Sequence, residues 1–177
     1  MSSIQERCDW LREHLTYEVL MVRYAHEQLK APIDTVGGQM RWNASFGAFA
    51  LYARNLYDFL TNKAESGNFE AADYDRPAAN GKGLEGIMYN LNQQVFHTGQ
   101  QRKRVEGKVG REKATKVHDW IEVNLAKFIE GLNDTYKPHW DPDAADPSKL
   151  DLEAHYEIVK DDDPATSRPV TTVKNIF

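Results

Sequence analysis

Phe46-Gly-Ala-Phe-Ala-Leu-Tyr-Ala-Arg54-Asn55-Leu-Tyr-Asp58-Phe-Leu60 is the stretch that decides the fold of this chain. Phe46, Phe49, Ala50, Ala53, Leu56, Tyr57 and Leu60 recur with the period of a helix that buries one broad face. Three polar residues, Arg54, Asn55 and Asp58, interrupt that pattern. Arg54 and Asp58 fall with Asn43, Gly47 and Thr61 along one border of the apolar stripe. Polar groups at the edge of a core need fixed hydrogen-bond partners, and the polar run Asn90-Leu-Asn92-Gln-Gln-Val-Phe-His97 is the best downstream source. Gly47 removes side-chain bulk on the same border, at about 1 kcal/mol of helix propensity relative to alanine, so a neighbouring helix can approach closely.

Working outward, Ser3 and Glu6 have capping-box spacing. Ile4, Cys8, Leu11, Leu15, Val19, Val22 and Leu29 then continue with helical period until Pro32. Glu18 and His26 lie among these apolar positions rather than opposite them. They are about 12 Å apart along the axis, so each reaches toward another helix or toward the rim. Pro32 and Gly37-Gly38 read as a loop, with Asn43 or Ser45 capping the second helix, which runs to about Asn62. Residues 63–83 read as a long connection. A third helix is expected from about Leu84 to Gln101, and a fourth after Gly110, with Ala114, Val117, Trp120, Ile121, Leu125, Phe128 and Leu132 inward. Asn124 lies within that last stripe and needs partners if buried.

From Tyr136 onward, Pro138, Pro142, Pro147, Pro164 and Pro169 prevent a long helix. The β-branched segments at 155–159 and 169–173 read as two short strands. The expectation is therefore an all-α protein. Residues 1–135 form a four-helix up-down bundle, and 136–177 form an extended C-terminal segment, including a short β-hairpin, packed on the bundle or on a partner.

The chain has 177 residues, enough for one sizeable core, and a formal net charge of −5. That charge argues against a surface that attracts phosphate backbones everywhere, although Arg102, Lys103, Arg104, Lys108, Arg111, Lys113 and Lys116 form one local basic cluster. A single cysteine, Cys8, fits a reducing compartment. With no apolar run of spanning length and no leader pattern, the chain reads as cytoplasmic, with no membrane partner.

Motifs for familiar chemistries are absent from the sequence. There is no Glu-x-x-His pair, no His-Glu-x-x-His, no Walker-type loop and no nucleophile elbow. No cofactor is called for. A metal-dependent bundle hydrolase would have to assemble distant histidines such as His26, His97 and His118, which is the least favoured reading.

Ala53-Arg54-Asn55-Leu56-Tyr57-Asp58-Phe59-Leu60, followed by Asn92-x4-His97, resembles a group of uncharacterised bacterial helical proteins that look like distant members of the HEPN superfamily of nucleotide- and RNA-binding helical domains. The resemblance covers residues 40 to 105. It implies binding of RNA or a nucleotide, a homodimer, and ribonuclease chemistry in which an Arg-x4-6-His motif acts without a metal. His97 matches the histidine of that motif. Asn90, Leu91 and Asn92 stand where its arginine should fall, so the guanidinium of a working site would come from Arg54.

The expected catalytic residues are thus His97 and Arg54, with Glu18, Asn55, Asp58, Asn92 and Arg102 in the surrounding binding or structural polar network. Two alternatives stand beside this. In one, Arg54 and Asp58 pair and bond the opposite helix purely to fix register, which makes the chain a non-enzymatic structural or interaction module. In the other, Glu18 neutralises a buried Arg54, whose truncation would then cost more than about 2 kcal/mol. Tyr52, on the outer face of the second helix, marks a possible interface.

Overall fold

A computed structural model describes residues 2–63, 67–96 and 108–149. The protein is all-α, with no strand among the described residues. The chain divides into two units, Met1–Pro147 and Ser148–Phe177, and every helix named below lies in the first. The two strand expectations, at 155–159 and 169–173, lie outside the described residues, as does the expected end of the third helix at 97–101.

The first helix is built from α1 (Ile4–Trp10), a π turn (Leu11–Leu15) and α2 (Thr16–Leu29). Its start carries the expected capping box: the Ser3 hydroxyl accepts from the Glu6 N–H at 3.1 Å, and the Glu6 carboxylate accepts from the Ser3 N–H at 2.6 Å. The π turn was not legible in the apolar pattern. The buried Thr16 hydroxyl donates to the Leu11 carbonyl at 3.0 Å, five residues back, which suits the wider winding.

Next come α3 (Val36–Leu60), α4 (Glu85–Phe96) and α5 (Arg111–Glu130). The start of α3 corrects the sequence reading, because Gly37-Gly38 is helix rather than loop and neither Asn43 nor Ser45 is the cap. Thr35 caps instead, its hydroxyl accepting from the Gly38 N–H at 2.9 Å. A Cβ on Gly38 would lie 3.3 Å from the Pro32 carbonyl oxygen, so a glycine suits this crowded first turn.

α2 packs along α3, α5 lies against both, and α4 packs on α3. Leu11, Leu15, Val19 and Val22 meet Phe49, Ala50, Ala53 and Leu56 in the core, together with Leu91 of α4 and Val117 and Ile121 of α5, all fully buried. Each large aliphatic side chain buried in this way stabilises the fold by about 1.5–3 kcal/mol. The connection between α3 and α4 is more than a link. It contains a 3-10 turn (Ala71–Tyr74) whose Tyr74 is among the largest fully buried side chains. Tyr74 donates its hydroxyl to the Arg7 carbonyl at 3.1 Å, and Arg7 donates to the Asp73 carbonyl at 2.6 Å. The same turn brings Phe69 to 5.3 Å from Trp10, measured between ring centroids. Beyond α5, Tyr136 and Ala145 are buried in the same core. No helix among the described residues is long and apolar enough to cross a membrane.

Candidate functional site

Arg54, Asn55 and Asp58 project from the C-terminal half of α3 into a cavity of about 290 Å³, which Trp10, Glu18, Phe59, Asn68 and Phe69 also line. Residues eight apart on a regular α-helix are offset by about 80°, and a π turn of five residues removes roughly that offset because it winds about 18° less per residue. Trp10 and Glu18 therefore come onto one line of the first helix and face the same cavity.

Within it, the Glu18 carboxylate accepts a hydrogen bond from the Asn55 amide at 3.0 Å. Arg54 Nη1 donates to Asn92 Oδ1 on α4 at 3.3 Å, and its Nε lies 3.5 Å from Asp58 Oδ2. The polar border thus ties α2, α3 and α4 together. It is not sealed, however: the Arg54 side chain is 40% exposed and that of Asp58 30%. Of the two alternatives for this border, the one with a buried Arg54 does not fit this exposure. A guanidinium at the mouth of the cavity keeps much of its hydration and does not require the full compensation that a buried charge needs.

Glu18 is strongly perturbed in this cavity. Burial pushes its carboxyl up from 4.5 to about 6, against the opposing effect of the Asn55 hydrogen bond. A carboxyl that titrates near neutral pH in a cleft is a candidate proton donor or acceptor. His97 and Arg102 lie outside the described residues.

Trp10, Phe59, Asn68 and Phe69 are the lining residues that sequence reasoning did not place at the site. Trp10 would have been found only by anticipating the π turn, and Asn68 and Phe69 sit in a connection with no periodicity to read. Tyr52, expected on the outer face of its helix, is half-buried against α2. Its hydroxyl shares a 3.1 Å hydrogen bond with that of Tyr17, and the two rings meet edge to face, so it serves a contact between α2 and α3. Part of the basic cluster is also engaged locally. Arg111 donates to the Ala31 carbonyl, Lys113 to the Lys108 carbonyl, and Lys116 pairs with Glu112.

A second polar group lies between α2 and α5. The His26 and His118 rings stack with centroids 4.0 Å apart and planes at 15°. His26 Nε2 is 3.1 Å from the Thr115 hydroxyl, and His118 Nε2 is 3.6 Å from Glu122 Oε1. Arg23 holds Glu122 through two hydrogen bonds of 2.7 Å and also donates to the Ala145 carbonyl. Burial opposes ionisation of Glu122, yet this pairing keeps its carboxyl below the usual range. Burial, with the neighbouring His118 and Lys30, lowers His26 to about 4. Two of the three histidines weighed for a metal hydrolase are therefore adjacent. Their ring nitrogens lie in nearly parallel planes, so the lone pairs do not converge on a point between the rings, and no set of three or more metal-ligating side chains occurs among the described residues.

No known protein family, curated protein or solved structure matches this chain.

Proposed function

We propose that this chain is a HEPN-like helical domain that binds RNA or a nucleotide, with the cavity beside Arg54 receiving a base. The observation that carries this reading is the convergence of Glu18, Arg54, Asn55 and Asp58 with the rings of Trp10 and Phe69 around an open cavity. Carboxylates and amides meet the N–H groups of a base edge, aromatic rings offer a stacking surface, and a guanidinium at the rim attracts the adjoining phosphate. Among the described residues, two lining carboxylates stand against one guanidinium, which makes the cavity a poor host for bare phosphate, so the base leads recognition. The cleavage part of the proposal assigns proton transfer to His97 and charge stabilisation to Arg54, with the domain acting as a homodimer.

The test is calorimetric titration with mononucleotides and short single-stranded RNA, repeated on Arg54→Gln. Saturable binding that weakens at least tenfold in the variant is expected. An undiminished affinity, or no saturation at millimolar nucleotide, would remove the cavity from the proposal. For cleavage, His97→Ala should abolish any RNA hydrolysis by the wild type while circular dichroism stays unchanged. The competing reading is a structural or interaction module. It draws support from the Arg54–Asn92 and Glu18–Asn55 hydrogen bonds that join three helices, and the exposure of Arg54 and Asp58 weighs against it.

A further inference from the structure

A separate cavity of about 270 Å³ opens between the Pro77–Asn80 segment and the C-terminal turns of α5. Arg76, Lys127, Asn80 and Asn124 supply its polar lining, and Leu60 and Phe128 part of its apolar wall. No carboxylate lines it among the described residues. Arg76 is half-buried, and its Nε is covered from solvent without a hydrogen-bond partner. A Cβ on Gly131 would overlap the Arg76 guanidinium, so glycine at the end of α5 makes the room that the group occupies.

The C-terminal end of α5 attracts both cations through its dipole, which accounts for their position but not for the unused donors. A guanidinium N–H covered from solvent normally finds an acceptor. Asn80 is already held, its side-chain oxygen accepting from the Lys82 N–H at 2.9 Å, which leaves its amide N–H groups uncommitted. Asn124 donates to the Trp120 carbonyl at 2.8 Å, and Trp120 donates its indole N–H to the Asn80 carbonyl at 3.1 Å, tying the loop to α5 beside the cavity.

We infer that this cavity is a binding site for a small phosphate monoester, with Arg76 and Lys127 holding the dianionic head and the accessible apolar lining at Pro77, Ala78 and Ala79 covering the organic group. Two cations, offset only by the partial negative charge of the α5 C-terminus and by no lining carboxylate among the described residues, match a dianion better than a monocarboxylate, and a guanidinium offers the paired donors that phosphate oxygens accept. The inference is independent of the reading of the Arg54 cavity.

Phenyl phosphate, inorganic phosphate and benzoate, each titrated into the full chain at constant ionic strength, test it. Indole N–H resonances provide the readout, with that of Trp120 assigned by Trp120→Phe. Phenyl phosphate should shift the Trp120 resonance saturably, inorganic phosphate more weakly, and benzoate least. Arg76→Gln and Lys127→Gln should each weaken binding at least tenfold, whereas Lys116→Gln on the exposed face of α5 should not. A response confined to the Trp10 resonance would place the anion in the other cavity and overturn the inference. So would equal responses of wild type, Arg76→Gln and Lys127→Gln, or no saturation. If Arg76→Gln only lowers the melting temperature while phenyl phosphate leaves the wild type unchanged, Arg76 is a helix-end counter-charge and the site does not exist.

Discussion

Replacing Glu18 by glutamine isolates the energetic consequence of placing a carboxylate in the Arg54 cavity. The carboxyl is raised from 4.5 to about 6 because burial penalises its charged form. At about 1.4 kcal/mol per pH unit, the folded state carries a penalty of about 2 kcal/mol once Glu18 is ionised in both states. Partial exposure reduces this to about 1–1.5 kcal/mol. Because the folded-state value lies above the unfolded one, the folded form binds the extra proton between pH 4.5 and 6. The contribution of Glu18 is therefore most favourable below 4.5 and is lost as pH rises through about 6. Glutamine retains an oxygen that can accept the Asn55 hydrogen bond and never ionises. Glu18→Gln should thus be more stable than the wild type by about 1–1.5 kcal/mol at pH 7.5, with the difference vanishing near pH 4.5. Urea unfolding from pH 4.5 to 8 measures it, and other titrating groups cancel between the two proteins. A difference that stays constant across this range, or a variant less stable at pH 7.5, would refute the burial argument.

Arg54→Ala should cost about 1 kcal/mol in denaturant unfolding, because its side chain, 40% exposed, keeps much of its hydration; a loss above 3 kcal/mol would mean that the network is sealed after all. The His26 imidazole should titrate near 4 in a histidine NMR series, and a midpoint near its usual value would contradict its burial against His118. Since the folded value is depressed, stability falls as pH drops from about 6.5 toward 4, by about 1–3 kcal/mol for this group. Tyr74→Phe, which removes only the hydroxyl bonded to the Arg7 carbonyl, should lower stability by about 1 kcal/mol. Leu91→Ala, which truncates a fully buried contact of α4, should lower it by about 2–5 kcal/mol.

Helix identity is local, and it could be read along the chain. The Ser3–Glu6 capping box, the stripe from Phe46 to Leu60 and the stripe from Ala114 to Phe128 each follow from side-chain type and a 3.6-residue period. For the same reason the polar border of α3 stood out, since Arg54, Asn55 and Asp58 break a regular pattern. The start of α3 was misread because Gly37-Gly38 signals a loop statistically, while here Thr35 and the neighbouring Pro32 carbonyl favour glycine inside a helical turn.

Apart from the bond between Arg54 and Asn92, which the polar run on the third helix anticipated, tertiary structure decided which groups meet across helices. Trp10 faces Glu18 because a π turn rewinds the first helix, Phe69 joins them because Tyr74 anchors an aperiodic connection, and His26 stacks on His118 because α5 lies across α2. Periodicity specifies the face of a helix that turns inward, whereas a cavity depends on the distances between helices and on the path of the loops. Those are set by the packing of the whole core, which no short stretch of sequence contains.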